Sequence, residues 1–187
     1  MFRDTRLFIL ACDDTYAPKQ YFEFLRSTRV RVHVVPTTDG TSAPKYVLDR
    51  LMEFDCDEGD ERWLLLDVDH LAQGTHIGGL IQTIKEARQK GVHLALSKPS
   101  FEVWLLLHHE EAVAVGDLGR ASEVETALRS KLGAYNKTNL RAEHFPPDAI
   151  KLACERARCL DSTTMGQDPP DTNTTRVYKL LDAIYSG

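Results

Sequence analysis

Apolar runs typical of buried β-strands alternate with amphipathic runs typical of helices through the first hundred residues. The strand-like runs are 6–12, 30–36, 62–69 and 92–99. The helix-like runs between them are 16–28, 42–54 and 78–91. Because alternation with short links favours parallel strands joined by right-handed crossovers, the sequence predicts an α/β fold with a parallel sheet flanked by helices.

The pattern changes after Pro99, where helix-like segments follow one another without strands. These segments are 100–115, 121–135, 146–161 and 174–185, and the segment 163–173 has the composition of a loop. A chain of 187 residues is an ordinary length for one domain. We therefore predict a single domain over 1–187, with a core over 5–110 and a helical C-terminal part over 111–187 that packs against the sheet.

Composition and charge exclude some classes of protein. No apolar run reaches the roughly 20 residues that a membrane span needs, and acids follow the first apolar run too closely for a signal peptide. The four cysteines form no CxxC pair, which favours reduced thiols and a cytoplasmic location. A net charge of −5 argues against broad electrostatic attraction to nucleic acid, but an enzyme with a local basic face remains compatible with it.

Acidic residues follow two of the predicted strands directly. Asp13 and Asp14 end the first strand, and Asp67 and Asp69 end the third, where alternation would point them the same way about 7 Å apart. Because the carboxyl ends of parallel strands meet at one edge of the sheet, these carboxylates should converge and repel one another. Carboxylates of this kind are ligands that Mg²⁺ prefers. The residues therefore predict a divalent-metal site, although single aspartates in such places also act as caps and turn residues.

The acidic edge resembles receiver domains of two-component signalling in part. "FILACDD" (8–14) is similar to their acidic pair, and "WLLLDVD" (63–69) to their phospho-accepting strand end. However, Lys98 arrives one strand earlier than the receiver lysine, and the helical half has no counterpart in that fold. The comparison leaves open a non-catalytic receiver-like or Toprim-like module that binds or signals to a partner.

A second resemblance covers almost the whole chain. The sequence is similar to the RloB family of Toprim-like proteins, known from restriction-linked and phage-resistance loci. The matching segments, in family order, are "CDDTYAPKQYFEFL" (12–25), "LLLDVDH" (64–70), "LSKPSFEVWLLLHHEE" (96–111), "YNK" (135–137) and "TNTTRVYKLLDAI" (172–184). The segment 96–111 is the most specific of these. The resemblance implies a Toprim-like parallel sheet and a nuclease that needs Mg²⁺ or Mn²⁺.

The same resemblance implies which residues hold the metal. Asp67 and Asp69 match the family's DxD, and Asp13 stands where the family has a longer glutamate. These three aspartates are the implied metal ligands, and Asp13 could also orient the attacking water. Asp14 replaces a family glycine, and Ala17 and Pro18 replace a Thr-Glu pair. These departures count in favour of the non-catalytic alternative.

Three further residues stand at positions of the family blocks, although Lys98 sits where the family often has asparagine. Glu102 would lie in the first turn of the helix after strand four, either contributing to the metal site and orienting water or simply favouring a helix N-terminus. Lys98 would contact a phosphate or neutralise the aspartates. Lys137 of the YxK block would contact a phosphate or stabilise the transition state, or it would be an ordinary surface lysine. Together with the three aspartates, these residues form the predicted catalytic set.

The resemblance also implies a role and partners. It implies a metal-dependent nuclease that cleaves phosphodiester bonds in DNA or RNA, transfer RNA included, as an effector of antiphage defence and abortive infection. An ABC-type or AAA-type ATPase encoded nearby is the implied protein partner, and no membrane is involved. The alternative module would regulate such an ATPase without cleaving anything. Assembly as a homodimer is left open by the sequence.

Overall fold

The computed structural model describes residues 5–25, 27–37, 40–69, 74 and 76–186. Five strands form one sheet in the order β2-β1-β3-β4-β5: β1 (Arg6–Cys12), β2 (Val30–Val34), β3 (Glu61–Asp67), β4 (His93–Lys98) and β5 (Thr174–Thr175). The first four strands run parallel, and β5 pairs antiparallel with β4. The predicted parallel α/β sheet is therefore confirmed.

Eight helices are present in the described part of the chain. They are α1 (Ala17–Phe24), α2 (Pro44–Met52), α3 (His76–Gln89), α4 (Glu102–Leu106), α5 (Ala112–Gly116), α6 (Ala121–Leu132), α7 (Pro147–Ser162) and α8 (Val177–Tyr185), with a 3₁₀ turn at Ala142–His144. None of the helices in the described segments is both long enough and apolar enough to cross a membrane. The four cysteines are free thiols.

The sheet is buried on both faces because its strands carry apolar side chains at successive positions. Phe8 and Leu10 point into one hydrophobic cluster, formed with α1 and the helices after β4. Ile9 and Ala11 point into a second cluster, formed with α2 and α3. A fully buried apolar side chain of this size contributes about 1.5–3 kcal/mol to folding, so both layers are needed to hold the sheet. The C-terminal part packs against the sheet, as predicted.

The C-terminal part is not purely helical. The predicted helix over 174–185 is wrong at its start, where Thr174 and Thr175 form β5, and α8 begins only at Val177. Both threonines are fully buried, and the hydroxyls of Ser97 and Thr175 lie 2.8 Å apart. β-branched threonines fit a buried strand better than a helix, and pairing with β4 satisfies their backbone groups.

The predicted helix over 100–115 is also wrong in one respect, because it is two helices, α4 and α5, joined by a turn. In a continuous helix the Glu111 N–H would donate to the Leu107 carbonyl. Instead it donates to Glu110 Oε1 at 3.1 Å, and the Leu107 carbonyl accepts Nη1 of Arg156 at 2.9 Å. This contact with α7 is a tertiary contact, and the spacing of apolar residues along the chain does not predict it.

Candidate functional site

An open pocket of about 480 Å³ lies where β1, β3 and β4 end. Its charged lining, among the residues that the structure describes, consists of six carboxylates and one ammonium group. These are Asp13, Asp14, Asp67, Asp69, Glu102, Glu125 and Lys137. Such an excess of negative charge in a concave site strongly favours a bound cation.

Asp13 connects the ends of β1 and β3. Its Oδ1 accepts the backbone N–H of Asp14, and its Oδ2 accepts the backbone N–H of Asp67, both at 2.9 Å. Burial raises the pKa of Asp13 from 3.8 to about 7, although both backbone N–H groups act in the opposite direction. The Asp13 carboxylate is thus fixed in place and poorly solvated.

Asp67 is the last residue of β3 and lies among like charges. Burial raises the pKa of Asp67 well above its ordinary value, and the nearby charges of Asp13, Glu102 and Asp14 raise it further. A backbone hydrogen bond from Phe101 acts in the opposite direction, but it is the smallest of these influences. The electrostatic requirement for a cation is therefore greatest between these two strand ends.

Asp69 reaches the same pocket from a turn. The prediction that the third strand continues to residue 69 is wrong, since β3 ends at Asp67. Val68 N–H still donates to the Ser97 carbonyl at 2.8 Å, and Asp69 N–H donates to the Pro99 carbonyl at 3.3 Å. Pro99 has no N–H of its own, so the ladder between β3 and β4 cannot continue past it. The 7 Å spacing expected for a strand does not apply, yet Asp69 still lines the pocket.

Glu102 is the first residue of α4 and is only 3% exposed. Its Oε2 accepts the hydroxyl of Ser100 at 2.7 Å, and its Oε1 accepts the hydroxyl of Tyr135 at 2.8 Å. The residue lies in a first helical turn and also lines the pocket, so its position agrees with either of the interpretations open from the sequence. Ser100 and Tyr135 were not predicted as site residues, although Tyr135 belongs to the same YNK segment as Lys137.

The structure brings only one of the two predicted lysines to the pocket. Lys137 lines it, and while burial raises the pKa of Asp14, the charge of Lys137 offsets part of that rise. Lys98 does not line the pocket, because its Nζ donates to the backbone carbonyl of Asp171 at 2.8 Å. This contact exists because Lys98 pairs with Thr174 of β5, and the segment that leads into β5 passes beside the Lys98 ammonium group.

Two further carboxylates in the pocket lie outside the predicted catalytic set, although Asp14 was one of the four acids expected to converge at this edge of the sheet. Asp14 follows β1, and its Oδ1 accepts the backbone N–H of Tyr16 at 2.8 Å, which shapes the turn into α1. The doubled acid in "CDD" was the available signal. Glu125 comes from α6, and its position at the pocket depends on how that helix packs, so the sequence carries no signal for it.

The donor chemistry of the pocket fits Mg²⁺ or Mn²⁺. Asp13, Asp67 and Asp69 supply the hard carboxylate oxygens that such ions bind, and the pKa values of the first two are raised mainly by burial and further by neighbouring carboxylates. Within the described part of the chain, no three Asp, Glu, His or Cys side chains are close enough to form a ready-made metal cage. Mg²⁺ commonly uses one or two carboxylates and completes its shell with water and phosphate oxygens, so such a cage is not required.

A family model described as RloB-like protein matches residues 8–184, a range that includes every residue of the pocket. No curated protein and no solved structure matches the chain.

Proposed function

The chain belongs to the RloB-like protein family, and from that premise we propose that it is a nuclease that cleaves phosphodiester bonds in nucleic acid with the help of Mg²⁺ or Mn²⁺. The observation that carries the proposal is the pocket of six carboxylates and one lysine at the carboxyl ends of parallel strands. Functional groups of open α/β sheets collect at this edge. An anionic pocket of this kind would accept a polyanionic substrate only with a cation present.

In this proposal one or two of the carboxylates of Asp13, Asp67 and Asp69 would bind the metal ion directly, and the remaining ones would act through its water ligands. When bound, the ion supplies Lewis-acid polarisation of the phosphoryl oxygens and neutralises charge in the pocket. Asp13 is anchored through both oxygens by backbone N–H groups, so it presents its remaining lone pairs in a fixed direction. Asp67 and Asp69 approach from the end of β3 and from the turn that follows it.

Glu102 and Lys137 have separate roles in the proposed reaction. Glu102, held by two hydroxyl donors, orients the attacking water and accepts its proton as the new bond to phosphorus forms. The bond from phosphorus to the leaving sugar oxygen breaks in the same displacement, and that oxygen takes up a proton from solvent. Lys137 contacts the phosphate and stabilises the negative charge that develops on it. Lys98 has no role in this mechanism, because its ammonium group is bound to the Asp171 carbonyl.

We further propose that the nuclease is an effector of antiphage defence that works with a partner ATPase. The support for this is family resemblance alone. The partner would control access to the substrate, since a free nuclease of this kind would damage the nucleic acid of its own cell.

The test is cleavage of labelled DNA and RNA with Mg²⁺ or Mn²⁺ by the wild type and by Asp67→Ala/Asp69→Ala. The matched control is Asp55→Ala/Asp57→Ala, a second Asp-x-Asp pair that is exposed and does not line the pocket. We expect cutting by the wild type and the control, none by the pocket variant, and none in chelator. Equal cutting by the pocket variant and the control would refute the proposal.

A second candidate is a non-catalytic module that binds a cation or regulates the partner. It is favoured by one observation: both oxygens of Asp13, at the position of the family glutamate, already accept backbone N–H groups. This module would bind Mn²⁺ and the ATPase but cut neither DNA nor RNA, even with the ATPase added. Incubation with a small phosphodonor separates a receiver-like version, which would become phosphorylated on an aspartate.

A further inference from the structure

We infer that Tyr135 is a positioning residue that holds Glu102 and the segment carrying Lys137 in their working arrangement. The inference rests on the proposed function for its catalytic consequence, but the contact itself can be tested without any activity.

The first support is the way the Glu102 carboxylate is held. Tyr135 is 8% exposed and donates to Oε1, while Ser100 donates to Oε2 from the link between β4 and α4. One donor is two residues from Glu102 and the other is 33 residues away, and together they fix both oxygens. The carboxylate therefore cannot rotate without breaking a buried hydrogen bond. Loss of either hydroxyl would leave a buried carboxylate oxygen short of a partner.

The second support is that the hydroxyl of Tyr135 always carries its proton. Burial and the adjacent Glu102 charge raise the pKa of Tyr135 above its ordinary value. Tyr135 therefore acts as a donor and not as a base at any physiological pH. Its function at this position is to orient the Glu102 carboxylate.

The third support is the anchoring of the segment that follows. Gln20, on α1, donates through Nε2 to the Lys137 carbonyl at 2.7 Å and accepts the Leu140 N–H at 2.9 Å. Tyr135 fixes one end of this segment and Gln20 fixes its middle and far end, so Lys137 is presented from a clamped loop. Glu102 and Lys137 are thereby held relative to each other.

The contact can be measured by ¹³C NMR of protein labelled at the glutamate side-chain carboxyl carbon. The Glu102 signal is identified by its absence in Glu102→Gln. We expect it to shift in Tyr135→Phe and in Ser100→Ala. It should stay in place in Tyr21→Phe, which removes another buried tyrosine hydroxyl, one that bonds to His108 Nε2 at 3.1 Å, away from the pocket. An unmoved Glu102 signal in Tyr135→Phe would overturn the inference, whatever the protein cleaves.

The kinetic consequence is measured on the labelled DNA or RNA that the wild type cuts in Mg²⁺. Misplacing a reacting group by about 1 Å can cost about 100-fold, so Tyr135→Phe should lower kcat by that order and leave KM near the wild-type value. Tyr21→Phe should keep kcat while losing a comparable amount of stability in urea. If both variants lose kcat equally, Tyr135 has a structural role only and the inference is wrong.

A double variant separates positioning from an independent effect. If Tyr135 acts through Glu102, then Tyr135→Phe should cause no further loss of kcat in a Glu102→Gln background. Additive losses would contradict the inference. If the wild type cuts neither DNA nor RNA, alone or with the partner ATPase added, the proposed nuclease function fails, and the NMR shift alone decides whether Tyr135 positions Glu102.

Discussion

The Asp13→Asn variant should be less stable than the wild type at low pH and more stable at high pH. Burial raises the pKa of Asp13 from 3.8, its ordinary value, to about 7 in the folded protein. Between these two pH values the folded state holds a proton that the unfolded state has released. Stability of the wild type therefore falls as pH rises through this window, and the stabilising contribution of proton binding to Asp13 is complete only below pH 3.8.

The magnitude follows from the size of the shift. At 1.36 kcal/mol for each pH unit, a shift from 3.8 to about 7 corresponds to a loss on the order of 4 kcal/mol between pH 4 and pH 8. Asparagine does not titrate, but its amide group turns a donor toward one of the two backbone N–H groups that Asp13 accepts. That mismatch costs about 1–3 kcal/mol at every pH. Asp13→Asn should thus be less stable than wild type at pH 4 and more stable at pH 8.

The assay is urea unfolding followed by tryptophan fluorescence at pH 4 to 8 in the presence of chelator. Groups distant from Asp13 contribute equally to both proteins and cancel in the difference. Asp67 does not cancel, because the Asp13 charge raises its pKa, so the difference between the two profiles reports the Asp13–Asp67 pair. Adding Mg²⁺ at pH 8 should stabilise the wild type more than the variant, because the ion compensates the charge that Asp13→Asn removes. Parallel pH profiles for the two proteins would refute the reasoning about burial of the Asp13 charge.

Three further predictions concern other parts of the molecule. Lys137→Ala should lower kcat by about 100-fold, whereas Lys98→Ala should cut nearly as well as wild type, and a comparable loss in both would place Lys98 in the mechanism after all. Arg176→Met breaks buried ion pairs with two aspartates and should lower the unfolding free energy by about 3–5 kcal/mol in urea unfolding. Arg158 forms an exposed ion pair, so Arg158→Met should cost less than about 1 kcal/mol in the same experiment. Burial lowers the pKa of His108 from 6.5 to about 4, so the unfolded state takes up a proton first and the free energy of unfolding should fall as the pH drops from 6.5 to 4. In urea unfolding over this pH range, His108→Gln should show a smaller fall than the wild type.

Much of the fold could be predicted because its cause is local. The runs around Leu10 and Leu65 are apolar at every position, which is typical of strands covered on both faces, and helix-spaced runs separate them. The strand ends that carry Asp13 and Asp67 follow directly from the same pattern. Topology then brings those ends to one edge of the sheet.

Other features depend on contacts between distant segments and have no local signal. Thr174 and Thr175 became a strand because the open edge of β4 was available to pair with them. That pairing also brought the Asp171 carbonyl to Lys98 and removed this lysine from the pocket. Asp69 left the strand because Pro99, on the neighbouring chain segment, ends the ladder.

The sequence by itself determined the layered α/β architecture and the convergence of acids at one edge, since hydrophobic periodicity and strand direction suffice for both. Only the tertiary structure decided which side chains complete the pocket. Tyr135 donates to Glu102 across 33 positions of the chain, and α6 brings Glu125 to the same pocket. The physical reason is that a side-chain hydrogen bond depends on separations of about 3 Å between atoms, which packing sets and which composition and spacing along the chain do not.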